Sequence, residues 1–407
     1  MAYTQGPKNY GLSASVDDVP LMLGSSTLRK PISSSQRLVA ISSQNGSQGP
    51  SGLHMFQIPT GAGSGFIKPN SMYLRCKVTP TFGAGQIAWS FNGCTGSASA
   101  LINRLTVMIG NQNVEQKNNY WFEHDLLLAH ASNSNYMAYD SQIYEHSGTQ
   151  IANNAANVGA IDVVIPILSS LFNGNKAVPC FLLNSPISLQ FDYNTLGNSM
   201  LFAGAGVTTY TVSNAQLCYE VIQVDDSYCQ AVRAMMAEGH LFQLNLTSTM
   251  NLQTANTGTT NYNIGANLSS LKAVLYTNIT NAIGSAAQAL FTGNTQTNFR
   301  LYLDGRQINN FNLDTEPVIY AEMNRALHNM FDTTVTSVSD LTTYLSNYFL
   351  GGVNTNRFNE LMAMTGTPAQ NINFILENAG GATNIYVCLI YDQLLVIDVT
   401  GQVSLVR

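Results

Sequence analysis

Charge is scarce in this chain. Of 407 residues, 17 are Lys or Arg and 23 are Asp or Glu, 10% in all, against roughly 25% in an ordinary soluble domain. The surface must therefore be built mainly from neutral polar groups. The formal charge of −6 leaves no surplus of cations, and between residues 118 and 299 only Lys176, Arg233 and Lys272 are basic. Strong direct nucleic-acid binding is not expected, because each phosphate neutralised requires a cation. Long apolar runs are lacking as well: no 18 consecutive apolar residues occur, so no membrane-spanning helix is expected. The opening Met1-Ala2-Tyr3-Thr4-Gln5-Gly6-Pro7 has neither a cationic n-region nor an apolar h-region, and export by a signal peptide is not expected.

Motifs of catalysis and metal binding are equally thin. The six cysteines, Cys76, Cys94, Cys180, Cys218, Cys229 and Cys388, show no CxxC spacing; they read as reduced core thiols, not zinc ligands or redox pairs. The six histidines, His54, His124, His130, His146, His240 and His328, form no HxH or HExxH pattern, and His124 and His130 at i, i+6 do not share a helix face. Gly61-Ala62-Gly63-Ser64-Gly65 lacks the Lys-Ser/Thr of a phosphate loop, and Lys68-Pro69 interrupts any helix that would follow it. It reads as a loop before a strand. No GxSxG elbow is present. No catalytic, cofactor or metal residues are assigned, and no enzymatic activity is expected.

What is abundant points to β-structure. The chain is 45% apolar with a mean hydropathy of +0.03, enough to bury a large core and to exclude a disordered class. Its 43 Asn and 32 Gly, with many Ser and Thr, favour turns and strands over long helices. Short apolar or alternating runs separated by turn clusters recur at 38–41, 72–78, 105–109, 161–167, 187–193 and 216–224, and again at 241–246, 271–276, 299–303, 372–376, 385–391 and 394–399. This is the signature of sandwiches or barrels. In Ile187-Ser188-Leu189-Gln190-Phe191-Asp192-Tyr193 the alternation is strict, which predicts a strand covering a core on one face. Between the two sets of runs, residues 225–239 read as a connecting helix, with Asp225 or Asp226 as the cap and Gly239 as the stop.

The halves resemble one another. Leu105-Thr106-Val107-Met108-Ile109 meets a turn at Gly110-Asn111 and then a helical segment at 120–131. Arg300-Leu301-Tyr302-Leu303 meets Asp304-Gly305 and then a helix beginning near Asp314-Thr315-Glu316-Pro317, with Ile319, Met323, Leu327 and Met330 at helical spacing. Gly110 and Gly305 lie 195 residues apart, about half the chain, so the pattern predicts an internal duplication. The expected organisation is an extended N-terminal arm at 1–36, a first sandwich at 37–224, the helix at 225–239 and a second sandwich at 240–407.

Three features together carry a resemblance to a known family. They are Ile161-Asp162-Val163-Val164-Ile165-Pro166-Ile167 followed by Pro179-Cys180-Phe181-Leu182-Leu183-Asn184-Ser185-Pro186-Ile187-Ser188-Leu189-Gln190-Phe191, the linking helix before Gly239, and the close on Ile385-Tyr386-Val387-Cys388-Leu389-Ile390-Tyr391. The chain resembles the double jelly-roll major capsid proteins of the PRD1 and adenovirus lineage. The resemblance implies an all-β fold of two tandem jelly-roll sandwiches with a few short helices in the connections. It further implies a pseudo-hexameric homotrimer that builds an icosahedral shell in the virion. Its partners would be itself, penton and minor capsid proteins, and an internal membrane, with assembly inside the host cell.

Physical considerations agree with that picture. A nearly uncharged β-protein repels itself little, which favours self-association. A chain of 44.0 kDa exposes on the order of 15,000 Å², ample for permanent interfaces of over about 2,000 Å². Arg29 and Lys30 of the arm would face acidic groups, and Leu21, Met22 and Leu23, which have no place in a sandwich of their own half, would contact neighbouring capsomers or an internal membrane. Three other readings share the composition. A single jelly-roll coat protein with a protruding domain would favour a strongly basic arm, whereas this arm carries Lys8, Arg29 and Lys30 against Asp17 and Asp18. A β-rich adhesin or carbohydrate-binding protein would favour a tryptophan platform, whereas only Trp89 and Trp121 occur. A glycoside-active enzyme on a jelly-roll scaffold would need a two-carboxylate cleft.

Overall fold

A computed structural model describes residues 34–83, 88–131, 141–146, 151, 159–174, 176–202, 207–256, 258–279, 290–293, 296–309, 312–328, 341–356, 365–378 and 383–407. Among them, the first half contributes eight principal strands: β1 (Ser34–Ser42), β2 (Leu53–Ile58), β3 (Tyr73–Phe82), β4 (Ile102–Ile109), β5 (Gln112–Asn118), β6 (Ile161–Pro166), β7 (Ile187–Tyr193) and β8 (Val207–Val224). All their pairings are antiparallel. One sheet runs β1-β8-β3-β6, with Ser34 opposite Val224, Val212 opposite Val78 and Cys76 opposite Val163. The other runs β2-β7-β4-β5, with Leu189 between Phe56 and Val107. The alternation read in the sequence of β7 is realised: Ile187, Leu189, Phe191 and Tyr193 are buried and the intervening polar residues are not. Leu74, Cys76 and Val78 of β3 close the core from the opposite sheet.

The second half repeats this order. Its strands are β9 (Phe242–Asn256), β10 (Thr259–Ile279), β11 (Gln296–Leu303), β12 (Arg306–Gln307), β13 (Gly351–Asn354), β14 (Thr367–Asn378) and β15 (Thr383–Ile397), followed by β16 (Val403–Val406). β10 joins two layers of one continuous sheet. Its first part pairs with β14, as Ile264 with Ile372, and its last part with β15, as Leu275 with Cys388. Register shifts between Gly265 and Leu268 and between Leu268 and Leu271 mark the crossing. Bulges bend a strand and increase its twist, which lets one strand turn the corner of a sandwich. The two layers of this sheet, β9-β15-β10-β13 and β10-β14-β11-β12, match the first half's two sheets strand for strand.

The helices fall at corresponding places. α1 (Tyr120–Ala131) and α2 (Ser141–Glu145) lie between β5 and β6, and α3 (Leu196–Ser199) precedes β8. α4 (Asp226–Ala237) links the halves, and α5 (Glu316–His328) and α6 (Leu341–Asn347) lie between β12 and β13. Asp225 caps α4 by accepting from the Ser227 N–H at 3.1 Å, and Gly239 follows it at φ +99°, a conformation glycine adopts without steric cost. The turn glycines of the repeat, Gly110 and Gly305, both have positive φ. The duplication is thus present in topology.

Three details differ from the sequence reading. β1 begins at Ser34, inside the segment expected to be arm, because Ser34-Ser35-Gln36 continues the ladder on β8 without any apolar signal. The runs at 385–391 and 394–399 are one strand, β15, which passes through Asp392 and Gln393 because both are buried and bonded, and which ends at Ile397. The six cysteines are free and five are buried, but Cys229 on α4 is only half-buried.

Candidate assembly surface

The two halves exchange parts of their cores. α1 leaves the first sandwich, and its Trp121, Phe122, Leu126 and Leu127 join the core of the second, where Phe122 stands 5.5 Å from the Tyr386 ring and 6.3 Å from Phe291. In return, Phe242, Leu244 and Leu246 at the start of β9 and Leu395 and Ile397 at the end of β15 pack in the first core. Val403 and Leu405 of β16 pack against that core as well. The linking helix therefore separates the halves in sequence but not in packing.

A buried ionic cluster sits where the exchange occurs. Lys117 of β5, only 4% exposed, pairs with Glu123 of α1 and with Glu115 at 3.4 Å. Glu123 also accepts from the Thr249 hydroxyl at 2.8 Å and from Asn251 on β9, so the first half is tied to the second through one carboxylate. Glu115 accepts from the Ser169 hydroxyl at 2.6 Å and the Ser170 N–H at 3.0 Å. Burial alone would lower the Lys117 pKa, but Glu123 and Glu115 outweigh it and hold the ammonium above its ordinary range. A charge this deep is tolerated only because it is paired and hydrogen-bonded. Beyond the cluster, the Gln393 amide donates to the Val114 carbonyl at 3.1 Å and Asn184 donates to the Thr400 carbonyl at 3.0 Å.

Three other shifted groups are sealed in the interior. Desolvation raises Asp125 on α1 to about 7, against the opposing hydrogen bonds from the Thr95 hydroxyl and N–H. Burial lowers His130 to about 4. His54 is held between the Tyr193 hydroxyl at 2.6 Å and the Gly46 carbonyl at 2.9 Å, and burial lowers it too. None of these lines the open cleft beside α4. That cleft, of about 280 Å³, is bounded by Phe181, Leu182 and Leu183, by Arg233 and Met236 of α4, and by the turn from Asp398 to Gly401. No group of three or more His, Cys, Asp or Glu able to hold a metal occurs among the described residues. No described helix is long and apolar enough to cross a membrane.

The apolar side chains left in water lie on elements that recur in both halves or at chain edges. Ile143 and Tyr144 of α2, Leu341 of α6 and Leu38 of the edge strand β1 are exposed, as are Leu241, Val399 and Val406 beside the cleft and on β16. The residues singled out from the sequence, Leu21, Met22, Leu23, Arg29 and Lys30, lie outside the described residues. What the sequence reading missed is the exchange through α1. The apolar residues Tyr120-Trp121-Phe122 and Leu126-Leu127-Leu128 on one helix signal burial but not which core the helix enters.

Comparison with solved structures fits this architecture. The fold is similar to that of PBCV-1 VP54 at a TM-score of 0.62 and 12% identity, covering 92% of this chain and 97% of that one. It is similar to the Faustovirus major capsid protein at 0.63 and 8%, covering 89% and 90%, and to the STIV major capsid protein at 0.52 and 11%, covering 88% and 96%. No protein-family model and no curated protein matches the sequence. The chain has the double jelly-roll fold of these major capsid proteins along nearly its whole length.

Proposed function

We propose that the chain is a structural capsid subunit which self-assembles as a homotrimer of pseudo-hexagonal outline and then as an icosahedral shell in the virion. The observation that carries this reading is the full-length repeat of one sandwich topology, since two like sandwiches per subunit give three subunits six similar edges. The sparse charge and the exposed apolar residues on α2 and α6, which recur in the two halves, support it. Its role is structural and not catalytic. Residues 1–33 serve as an arm toward neighbouring capsomers or an internal membrane, and penton and minor capsid proteins complete the shell. Light scattering at micromolar concentration should return a mass near three times 44.0 kDa, and negative-stain images should show hexagonal plates or shells. A stable monomer or dimer under those conditions refutes the reading.

A further inference from the structure

The internal repeat matches positions of one sandwich with positions of the other, and one matched pair differs sharply in exposure. β1 lies on β8 from Ser34 opposite Val224, and β9 lies on β15 from Phe242 opposite Ile397. Val224 and Ile397 each precede an aspartate, Asp225 and Asp398. Leu38 of β1, opposite Glu220, is therefore the counterpart of Leu246 of β9, opposite Gln393. The next strands keep this register to within two residues. Ile58 of β2 and Ile264 of β10 lie opposite Ile187 and Ile372, which in turn lie opposite Ile109 and Leu303, the last residues of β4 and β11. Leu246 is 4% exposed and packs in the first core, whereas Leu38 is 60% exposed. Gln36 and Ala40, which share its face by the alternation of a strand, are exposed too, while Val39 and Ile41 pack against the core of their own sandwich. A single exposed leucine is ordinary on a surface. What distinguishes Leu38 is the cover over its counterpart.

We propose that the outer face of β1 around Leu38 seats on the edge strand β12 of a second copy of this chain, repeating between subunits the junction that each chain makes within itself. This rests on the capsid reading above and names the contact that reading needs. Within the chain, β9 and β15 meet β5, the edge strand of the first half: Gln393, beside Leu246, donates to the Val114 carbonyl at 3.1 Å, and Asn251 donates to the Asn118 carbonyl at 3.4 Å. β9 and β5 thus ascend in the same direction across the junction. β12 is the edge strand of the corresponding layer, and its Arg306, opposite Leu303, is the counterpart of Gln112, opposite Ile109. Gln36, the counterpart of Leu244, then falls at the level of Arg306. Charge agrees with this seating. Glu220, beside Leu38, presents a carboxylate that holds Lys68 at 3.0 Å and the Gln36 amide, and Arg306 is exposed with no ion pair among the described residues. The junction within the chain has the neutral Gln393 and Gln112 at these two places, so opposite charges mark the contact between chains and set its register. The two surfaces differ, so the contact is head to tail, and three chains joined in this way close a ring of six like junctions.

The test uses the full chain. Leu38→Asp should convert the trimer into a monomer of 44.0 kDa by light scattering at micromolar concentration, with unchanged far-ultraviolet circular dichroism, and Leu38→Met should keep the trimer. If the parent is a trimer and Leu38→Asp is one too, this contact is refuted while the trimeric reading stands. A parent that is itself monomeric refutes both. The second arm leaves Leu38 in place and uses Cys229→Ser as background, the other five cysteines being buried. Chains carrying Gln36→Cys, co-expressed with chains carrying Arg306→Cys, should be joined by a short bismaleimide, with the linked peptides identified by mass spectrometry. Absence of that link overturns the proposal. Chains carrying Gln36→Cys alone should not be joined; a link there means that the face meets its own copy across a two-fold axis, and it overturns the proposal as well.

Discussion

Replacing Asp125 by asparagine should make the protein more stable at pH 8 and leave it unchanged at pH 4. Asp125 lies on α1 in the exchanged core, beside Cys94 and Thr95. Desolvation raises its carboxyl from 3.8 to about 7, so the folded chain keeps a proton that the unfolded chain has already released. Below pH 3.8 both states are protonated and the group contributes nothing. As pH rises from about 4 to about 7 the unfolded state binds fewer protons, so stability falls by about 1.4 kcal/mol per pH unit and levels off about 4 kcal/mol lower. The asparagine side chain keeps an oxygen to accept from Thr95 and carries no charge, so the variant lacks this slope. At about 2.1 cal/mol/K of unfolding entropy per residue, 4 kcal/mol spread over a cooperative unit of this size is about 5 °C in Tm. Thermal melts from pH 4 to 8, followed by fluorescence with Trp121 on the same helix as a reporter, measure it. Parallel pH profiles for the two proteins, or an Asp125→Asn variant that melts lower at pH 8, refute the argument.

The period-two pattern made much of the fold readable. β7, β4 and β11 each bury one face and expose the other, and Asp225 and Gly239 bracket α4 as their chemistry dictates. Local pattern failed where the structure depends on what comes from elsewhere in the chain. Only the run at 271–276 of β10 was legible, because the strand changes partners near Gly265 and its buried face changes with them. β15 reads as two strands because Asp392 and Gln393 interrupt its apolar run. Yet Asp392 accepts from the Ser270 hydroxyl at 2.6 Å and pairs with Lys272 at 3.4 Å, and Gln393 reaches across to Val114. The exchange of α1 was invisible for the same reason, since periodicity shows that a face is buried but not against which core. Of the candidate surface, the residues chosen from the sequence lie outside the described residues. The cleft beside α4 is formed by four segments far apart in the chain, at Gly61, at 181–184, at Arg233 and Met236, and at 398–401.

Two further substitutions test the junction between the halves. Gly93→Ala should destabilise by about 2 kcal/mol or more: its φ of +98° disfavours any side chain, and a Cβ there would meet the Asp125 carboxylate at 2.1 Å. A melting point within a degree of the parent would show that this packing is not fixed. Lys117→Met removes the cation held between Glu115 and Glu123 and leaves two buried carboxylates facing one another. Breaking a buried pair in this way costs about 3–5 kcal/mol. Because Glu123 also binds Thr249 and Asn251 of β9, the loss falls on the coupling between the halves, and one calorimetric transition should divide into two. Lys117→Met with Glu115→Gln and Glu123→Gln should recover most of the stability, since the neutral amides can keep hydrogen bonds to Ser169, Thr249 and Asn251 without an unpaired charge. A single variant that costs less than about 1 kcal/mol, or one that melts in a single transition at reduced temperature, would mean that α1 joins the halves through its apolar face alone.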